Sequence, residues 1–583
     1  MTQNLSYRKK TVLYSIAALS VIGLLACTAI LFLPIRQMIM NLAEQIAHKE
    51  ASTYDSWLKA LFSYAMGGIC FILFLDYCLL TESGKSLVQK VRQEIKDRLS
   101  EINFRLLLKP FLWMLGVYLL GMLTIIRANS LYMDDLGYSV TGYREWYNWS
   151  RYVIVFLSYF IQPEISMTDI SPIPQLLAAL ILSCSSVLLI FILNKGKITI
   201  TGLLASIPLG LSPYFLECLS YKYLACYMAL SILVSIVPFL FIASKKAFFF
   251  CSVVCLLIMC MTYQAASGIY LLIVTILCFQ DWNSREKPNK KIFSFIGTAV
   301  LAFCFSMLIF RFFLMKPADY YVSNAMHPVS HIILGAFSNI KEYTMIIHHD
   351  FGIIWKTAIA FVLLFFITKS IHVSLQKKLL SFFISILVIG ISFVLSFGVY
   401  SLLITPLFAP RAMFGFGAFL AILGIYVVSN YKKIAIVSAI ALSWCLFTFA
   451  FSYGNALADQ ARYAEFRISI LLYDLSALYP KVDGLSIQLK NSIDYAPSIK
   501  NTAKRNPIIE RLVQKRLAED LCWDNFYYLG HFNYGQYSMA HITANTSNDH
   551  YIDFDSLNLP VVLDTYYQTI QSDGTRILIV LKH

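Results

Sequence analysis

Apolar runs long enough to cross a bilayer recur along this chain from residue 11 to residue 452, and a spanning helix needs about 20 such residues. Their number excludes a single buried helix or a lone signal peptide. The first run also lacks a convincing small-residue cleavage site and is read as a retained helix. Charged residues make up 14% of the 583 positions, too few to clothe a soluble body of this size. The expected class is therefore an all-α polytopic membrane protein. Spans are expected at residues 11–33, 59–80, 110–127, 173–194, 197–213, 222–243, 247–263, 266–281, 292–315, 352–368, 379–404, 411–429 and 434–452, about thirteen helices.

The net charge of +14 is explained by topology, and nucleic acid is not an expected partner. Arg8, Lys9 and Lys10 mark a cytoplasmic N-terminus. Counting from there, Lys85, Lys90, Arg92, Lys96, Arg98, Arg105 and Lys109, then Lys195 and Lys197, Lys245 and Lys246, residues 285–291, residues 369–378, and Lys432 with Lys433 all fall in short loops on the same side. The other side keeps the longer, aromatic and acidic loops at 34–58, 128–172 and 316–351, and everything after 453. Three units follow: a two-helix extension with a basic loop over 1–109, a membrane domain over 110–452, and a small α/β domain over 453–583 outside the cytoplasm. In that last unit the pattern predicts a helix over 504–519 and strands over 484–489 and 561–567. Ser572, Asp573, Gly574 and Thr575 read as a hairpin turn into a strand over 576–581. Twelve of the 13 cysteines lie within or at the ends of apolar segments, as small core residues do, and Cys522 alone falls in the polar tail.

The stretch richest in chemistry follows the third span: Arg127, then Met133, Asp134, Asp135, Leu136, Gly137 and Tyr138, then Arg144, Trp146, Tyr147, Trp149, Ser150, Arg151 and Tyr152. Two adjacent carboxylates a few residues beyond a membrane exit repel one another and are desolvated, which suits one of them to accept a proton. The plain alternative is that they cap a short helix. The aromatic stretch from Trp146 to Phe160 is compatible with one helix lying along the interface, and a helix would put Arg144 and Arg151 on one face, ready for a phosphate or anchored in the interface. Further polar groups at outer helix ends are Glu217 and Lys222, Tyr263 with Gln264, and Arg411. Ionisable groups at such depth face a cavity or a partner, unless they snorkel. His348, His349 and Asp350 suggest a metal, but adjacent histidines diverge and no spaced third ligand follows, so no metal site is assigned. Nucleotide-binding and serine-hydrolase signatures are missing from any fitting context.

Met133 through Tyr138, followed by aromatics leading to Trp149, Ser150 and Arg151, resembles the type II family of bacterial and phage O-antigen glucosyltransferases. Ser212 to Phe215, Tyr263 with Gln264, and Pro410 with Arg411 are similar to further positions of that pattern, and the likeness covers roughly residues 110–455. The resemblance implies a GT-C-like membrane enzyme of the bacterial inner membrane. It would transfer glucose from undecaprenyl phosphate to O-antigen repeats of lipopolysaccharide on the periplasmic face. A separate lipid-glucose synthase and a small flippase would supply the donor. It names no cofactor and leaves a need for a divalent cation open. Three departures stand out: Ser150 occupies a position where glycine is expected, Leu224 one where an acid is expected, and two extra spans precede the motif.

On this reading Asp134 or Asp135 is the base and the other orients a group or binds sugar. Arg151 and Arg411 are phosphate ligands, with Lys222 a weaker third, while Arg144, Glu217, Tyr263 and Gln264 are further substrate-binding candidates. A lipid-carried donor needs no nucleotide motif, and its phosphate leaving group calls for cations rather than a general acid. The competing readings are a transporter or flippase of lipid-linked saccharides, an O-antigen polymerase or ligase, a GT-C transferase with another sugar or acceptor, and an assembly subunit. Midplane charges and internal repeats, which a transporter would show, are missing. The 316–351 loop lacks the arginines expected of a polymerase or ligase.

Overall fold

A computed structural model describes residues 18, 20–23, 65, 67–78, 81–286, 290–316, 325–328, 330–429, 433–480, 486–518, 522–532 and 554–582. Most of the expected first span lies outside the described residues. From residue 110 to residue 452, every expected span coincides with helix. Among the described residues, seven helices are long and apolar enough to cross a membrane: Phe104–Ala128, Ile173–Leu193, Gln264–Asn283, Lys291–Leu314, Ile353–Val373, Lys378–Leu395 and Ile436–Leu478. Two bent pairs raise that number to nine at most among the described residues, which omit most of the first expected span, so the expected thirteen is not confirmed. Elsewhere some apolar segments are bent or short. Ser212 ends one helix and starts another, so Ile200–Leu211 meets Pro213–Ser220 at 58°, and the apolar helices Ala225–Phe241 and Gly415–Val428 fall short of the spanning length.

Two elements escaped the sequence reading. Ile332–Asp350 is a 19-residue helix inside what reads as an outer loop; Lys341 and Glu342 interrupt its apolar pattern. Ile436–Leu478 runs 43 residues, about 64 Å at 1.5 Å per residue, roughly twice the thickness of a hydrocarbon core. Its second half therefore projects beyond any bilayer and carries the C-terminal unit.

That unit is a four-stranded sheet in the order β1-β4-β3-β2, with β1 at Ser486–Lys490, β2 at Val561–Asp564, β3 at Gln568–Ser572 and β4 at Arg576–Leu581. β1 runs parallel to β4, and the remaining pairs are antiparallel. The β3–β4 turn is the expected one: Gly574 takes φ +98°, and Asp573 accepts the backbone N–H groups of Thr575 and Arg576. Ile487, Leu489, Ile570, Ile577, Ile579 and Leu581 pack on Ile468, Leu471 and Leu475 of the long helix, and Leu136 from the acidic loop joins the same core. Arg467, 2% exposed, fastens helix to sheet by donating to the carbonyls of Tyr567 and Lys582 at 2.8 and 2.9 Å.

Within the helix expected over 504–519 only the single turn Ile509–Leu512 is helical, and a separate short helix, Pro497–Ala503, precedes it. Beyond Leu512 the chain extends, because Arg516 and Ile493 exchange backbone hydrogen bonds and Leu517 takes φ +52°. Leu512 at the end of the second short helix, and Val513 and Leu517 in the irregular segment beyond it, are all buried, so the apolar spacing marks burial and not one continuous helix.

Candidate active site

The acidic loop leaves the Phe104–Ala128 helix through Asn129, whose left-handed φ of +47° turns the chain sharply, and a second left-handed residue, Met133, turns it again. Asp135–Thr141 then forms a seven-residue helix. The two carboxylates at its start have different surroundings. Asp135 is 0% exposed and accepts three backbone N–H groups, from Tyr132 at 3.2 Å, Lys222 at 2.9 Å and Tyr223 at 3.4 Å. It thus ties the acidic loop to the Tyr221–Lys222–Tyr223 element. Burial pushes its carboxyl up to about 8 against the pull of those amides, with the Asp134 charge adding to the rise.

Asp134 occupies the N-cap position yet makes no capping hydrogen bond, and it remains partly accessible. It caps the helix by position only. Desolvation in its recess holds its carboxyl above the ordinary range, while Arg411 and Arg151 pull it back down. The charges of Arg411 and Arg151 also act on Tyr263 and Tyr400, so Asp134, the two arginines and the two phenols share one neighbourhood.

The arginines reach it differently. Arg411 lies in a one-turn helix after Pro410 and is held by the buried Glu217, which takes its Nη1 at 2.9 Å and its backbone N–H as well. Glu217 also accepts the Tyr132 hydroxyl at 3.3 Å. Arg151 has no carboxylate partner among the described residues; its Nε is buried without a hydrogen bond and its guanidinium lies 5.4 Å from the Tyr263 ring centre. Tyr263 in turn stacks on Phe414 at 6.0 Å, beside Arg411. Gln264 opens the one-turn helix that follows and is partly exposed.

Two candidates stand elsewhere. Arg144 spends its guanidinium on the carbonyls of Gln162, Glu164 and Ile165, where it braces the loop. Lys222 is 4% exposed and paired to Asp169 at 2.9 Å. The expected continuous helix from Trp146 to Phe160 is broken. A short 3-10 segment, Glu145–Trp149, ends at Ser150, and the helix Tyr152–Ile161 starts after it. Arg144 and Arg151 accordingly share no helix face. The break is Ser150 itself, at φ +60°, a conformation glycine adopts without strain. The Ser150 hydroxyl accepts the backbone N–H of Lys316 at 2.6 Å, and Lys316 Nζ reaches Asn148 at 2.6 Å, so the acidic loop is pinned to the next outer loop. Leu224, where an acid is expected, is fully buried.

Contacts with the tail had no sequence signal. Leu512 offers its carbonyl to the Tyr132 hydroxyl at 2.9 Å, Gln514 accepts the Met133 N–H at 3.3 Å, and Arg516 donates to the carbonyl of Leu131. Arg511 pairs with the buried Asp350, which also accepts the Tyr214 hydroxyl at 2.9 Å. His348 and His349 face outward while Asp350 turns in, so the three do not converge. The arrangement as a whole offers one accessible carboxylate beside two cations in an aromatic recess. It suits proton abstraction next to a phosphate.

No solved structure matches the chain. Among curated proteins, an uncharacterized 55.3 kDa protein of Salmonella phage P22, named for its place in the gtrB 5′ region, is 25% identical over 438 residues, which cover 72% of this chain and 89% of that protein. The family model described as glucosyl transferase GtrII matches residues 123–422, a segment that includes the acidic loop, Glu217, Tyr263 and Arg411. That match takes in more than half of the chain, which belongs to the GtrII glucosyl transferase family.

Proposed function

We propose that this membrane glucosyltransferase takes glucose from undecaprenyl phosphate and places it on O-antigen repeats at the periplasmic face of the bacterial inner membrane, with Asp134 as the base. The observation that carries the assignment is the contrast within the acid pair. Asp135 has its oxygens committed to three amides, whereas Asp134 is partly accessible, uncommitted and flanked by cations. A base needs a free oxygen within reach of an acceptor hydroxyl.

In the reaction, the acceptor hydroxyl oxygen forms a bond to the anomeric carbon of glucose as the bond from that carbon to the phosphate oxygen breaks. The hydroxyl proton passes to the Asp134 carboxylate. The electron pair of the broken bond leaves on undecaprenyl phosphate, whose added negative charge Arg151 and Arg411 stabilise. Glu217 positions Arg411, and the Tyr263 ring supports the Arg151 guanidinium. Asp135 keeps the loop in register. Lys222 and Arg144 act on loop geometry. The unit after residue 453 covers the site from the outer side, and the lipid-glucose synthase and flippase act upstream.

The test is mass spectrometry of O-antigen glycans from cells that supply lipid-linked glucose, with and without this chain. One added hexose per repeat supports the reading. An unchanged glycan with the protein present in the membrane removes O-antigen as the acceptor.

A further inference from the structure

Beside the Lys222 element lies a cavity of about 210 Å³ that none of the roles above uses. Its walls fall into two kinds. Ile125, Ile126 and Pro172 form an apolar side, and Ser130, Ser171, Ser220 and Gln175 contribute neutral hydroxyl and amide groups. Gln175, in the first turn of the Ile173–Leu193 helix, is 3% exposed, and its Oε1 has no hydrogen-bond partner. Buried amide oxygens are rarely left without a donor, since the cost is comparable to a lost hydrogen bond. Lys222 also borders the cavity, but its charge is met by Asp169, so the wall is close to neutral.

We infer that this cavity is a subsite for one neutral pyranose ring. The inference rests on the transferase reading and deepens it. A pyranose has an apolar C–H face and an edge of hydroxyls that both donate and accept, and these match the two walls. The volume is below the roughly 300–1,000 Å³ of pockets that hold drug-sized ligands, which limits the occupant to a single ring. An anion is disfavoured because the one cation is already paired. The cavity is also coupled to the acid pair, because the backbone of Lys222 donates to Asp135. A ring seated against Lys222 would therefore lie beside the acidic loop. The ring has two sources, the glucose of the donor or a sugar unit of the acceptor.

Saturation-transfer NMR on the purified full-length chain, with methyl α-D-glucopyranoside as probe and sorbitol as the acyclic control, reads the subsite directly. Wild type should show transfer to the pyranoside and not to sorbitol. Gln175→Met, close in shape, and Ser130→Leu, which fills the cavity, should each weaken it about five- to tenfold, while Asp134→Asn should leave it intact. In transfer assays Gln175→Met should raise one KM with little change in kcat; a rise for the lipid donor identifies the donor glucose, and a rise for the glycan the acceptor unit. Equal transfer to sorbitol, no transfer to the pyranoside, or wild-type binding in both cavity variants overturns the subsite. If transfer activity is missing from wild type while the pyranoside still binds and Gln175→Met abolishes it, the transferase reading fails and the subsite stands.

Discussion

Asp135 accepts the backbone N–H of Lys222 at 2.9 Å, joining two segments 87 residues apart in the chain. Asp135 fastens the loop, which leaves its neighbour Asp134 for chemistry. The two should therefore fail in different ways. Asp135→Asn turns an NH2 group toward backbone donors and leaves at least one of three buried amides unpaired, at a cost of roughly 1–3 kcal/mol. Asp134→Asn removes no hydrogen bond within the protein. In thermal denaturation of detergent-purified protein, Asp135→Asn should lower the melting temperature and Asp134→Asn should leave it within error of wild type.

The raised carboxyl of Asp134 sets the acid limb of the rate. A base with its pKa above the usual carboxylate range of about 4 is protonated, and so idle, at pH values where an ordinary aspartate still works. Activity should fall as pH drops, with a midpoint above that range. Arg151→Gln removes a cation that lowers this pKa, so its acid limb should move to still higher pH. A pH–rate profile of kcat/KM for both proteins checks the direction.

Arg511 and Asp350 join the tail to the membrane domain, and Asp350 is buried. Cutting one partner from a buried pair costs roughly 3–5 kcal/mol because the other charge stays behind, discounted here because Arg511 is partly exposed. Arg511→Ala should speed proteolytic release of the unit after residue 453. Arg511→Met with Asp350→Leu should recover most of the resistance, since no charge is then stranded.

Ser150 tests how much a left-handed residue costs in this loop. Glycine there relieves roughly 1 kcal/mol of strain but loses the 2.6 Å hydrogen bond to Lys316, worth about the same. Ser150→Gly should be close to neutral in thermal melts, Ser150→Ala should be less stable, and Ser150→Val less stable again.

The membrane part was legible because apolar runs carry their own signal: the segments around 173–194 and 353–373 are helices within a few residues of where hydropathy places them. Span number was less legible, because hydropathy does not reveal that the apolar helices Ala225–Phe241 and Gly415–Val428 stop short of the spanning length. The acid pair was visible as a pair, but its division of labour depends on amides from residues 222 and 223 that no local pattern reveals. The sequence favours Arg151 over Arg144 but offers no structural reason; one left-handed serine between them sends Arg144 to backbone carbonyls and Arg151 to the recess. Arg511 reaches Asp350 across 161 residues, a pairing set by how the tail docks.

The most direct test of the central claim is the transfer rate of Asp134→Asn, measured with lipid-linked glucose and an O-antigen acceptor at wild-type protein level and wild-type melting temperature. Loss of a general base predicts a fall of about 10²- to 10⁴-fold in kcat, with donor affinity little changed. A rate within about threefold of wild type would contradict the assignment of Asp134 as the base.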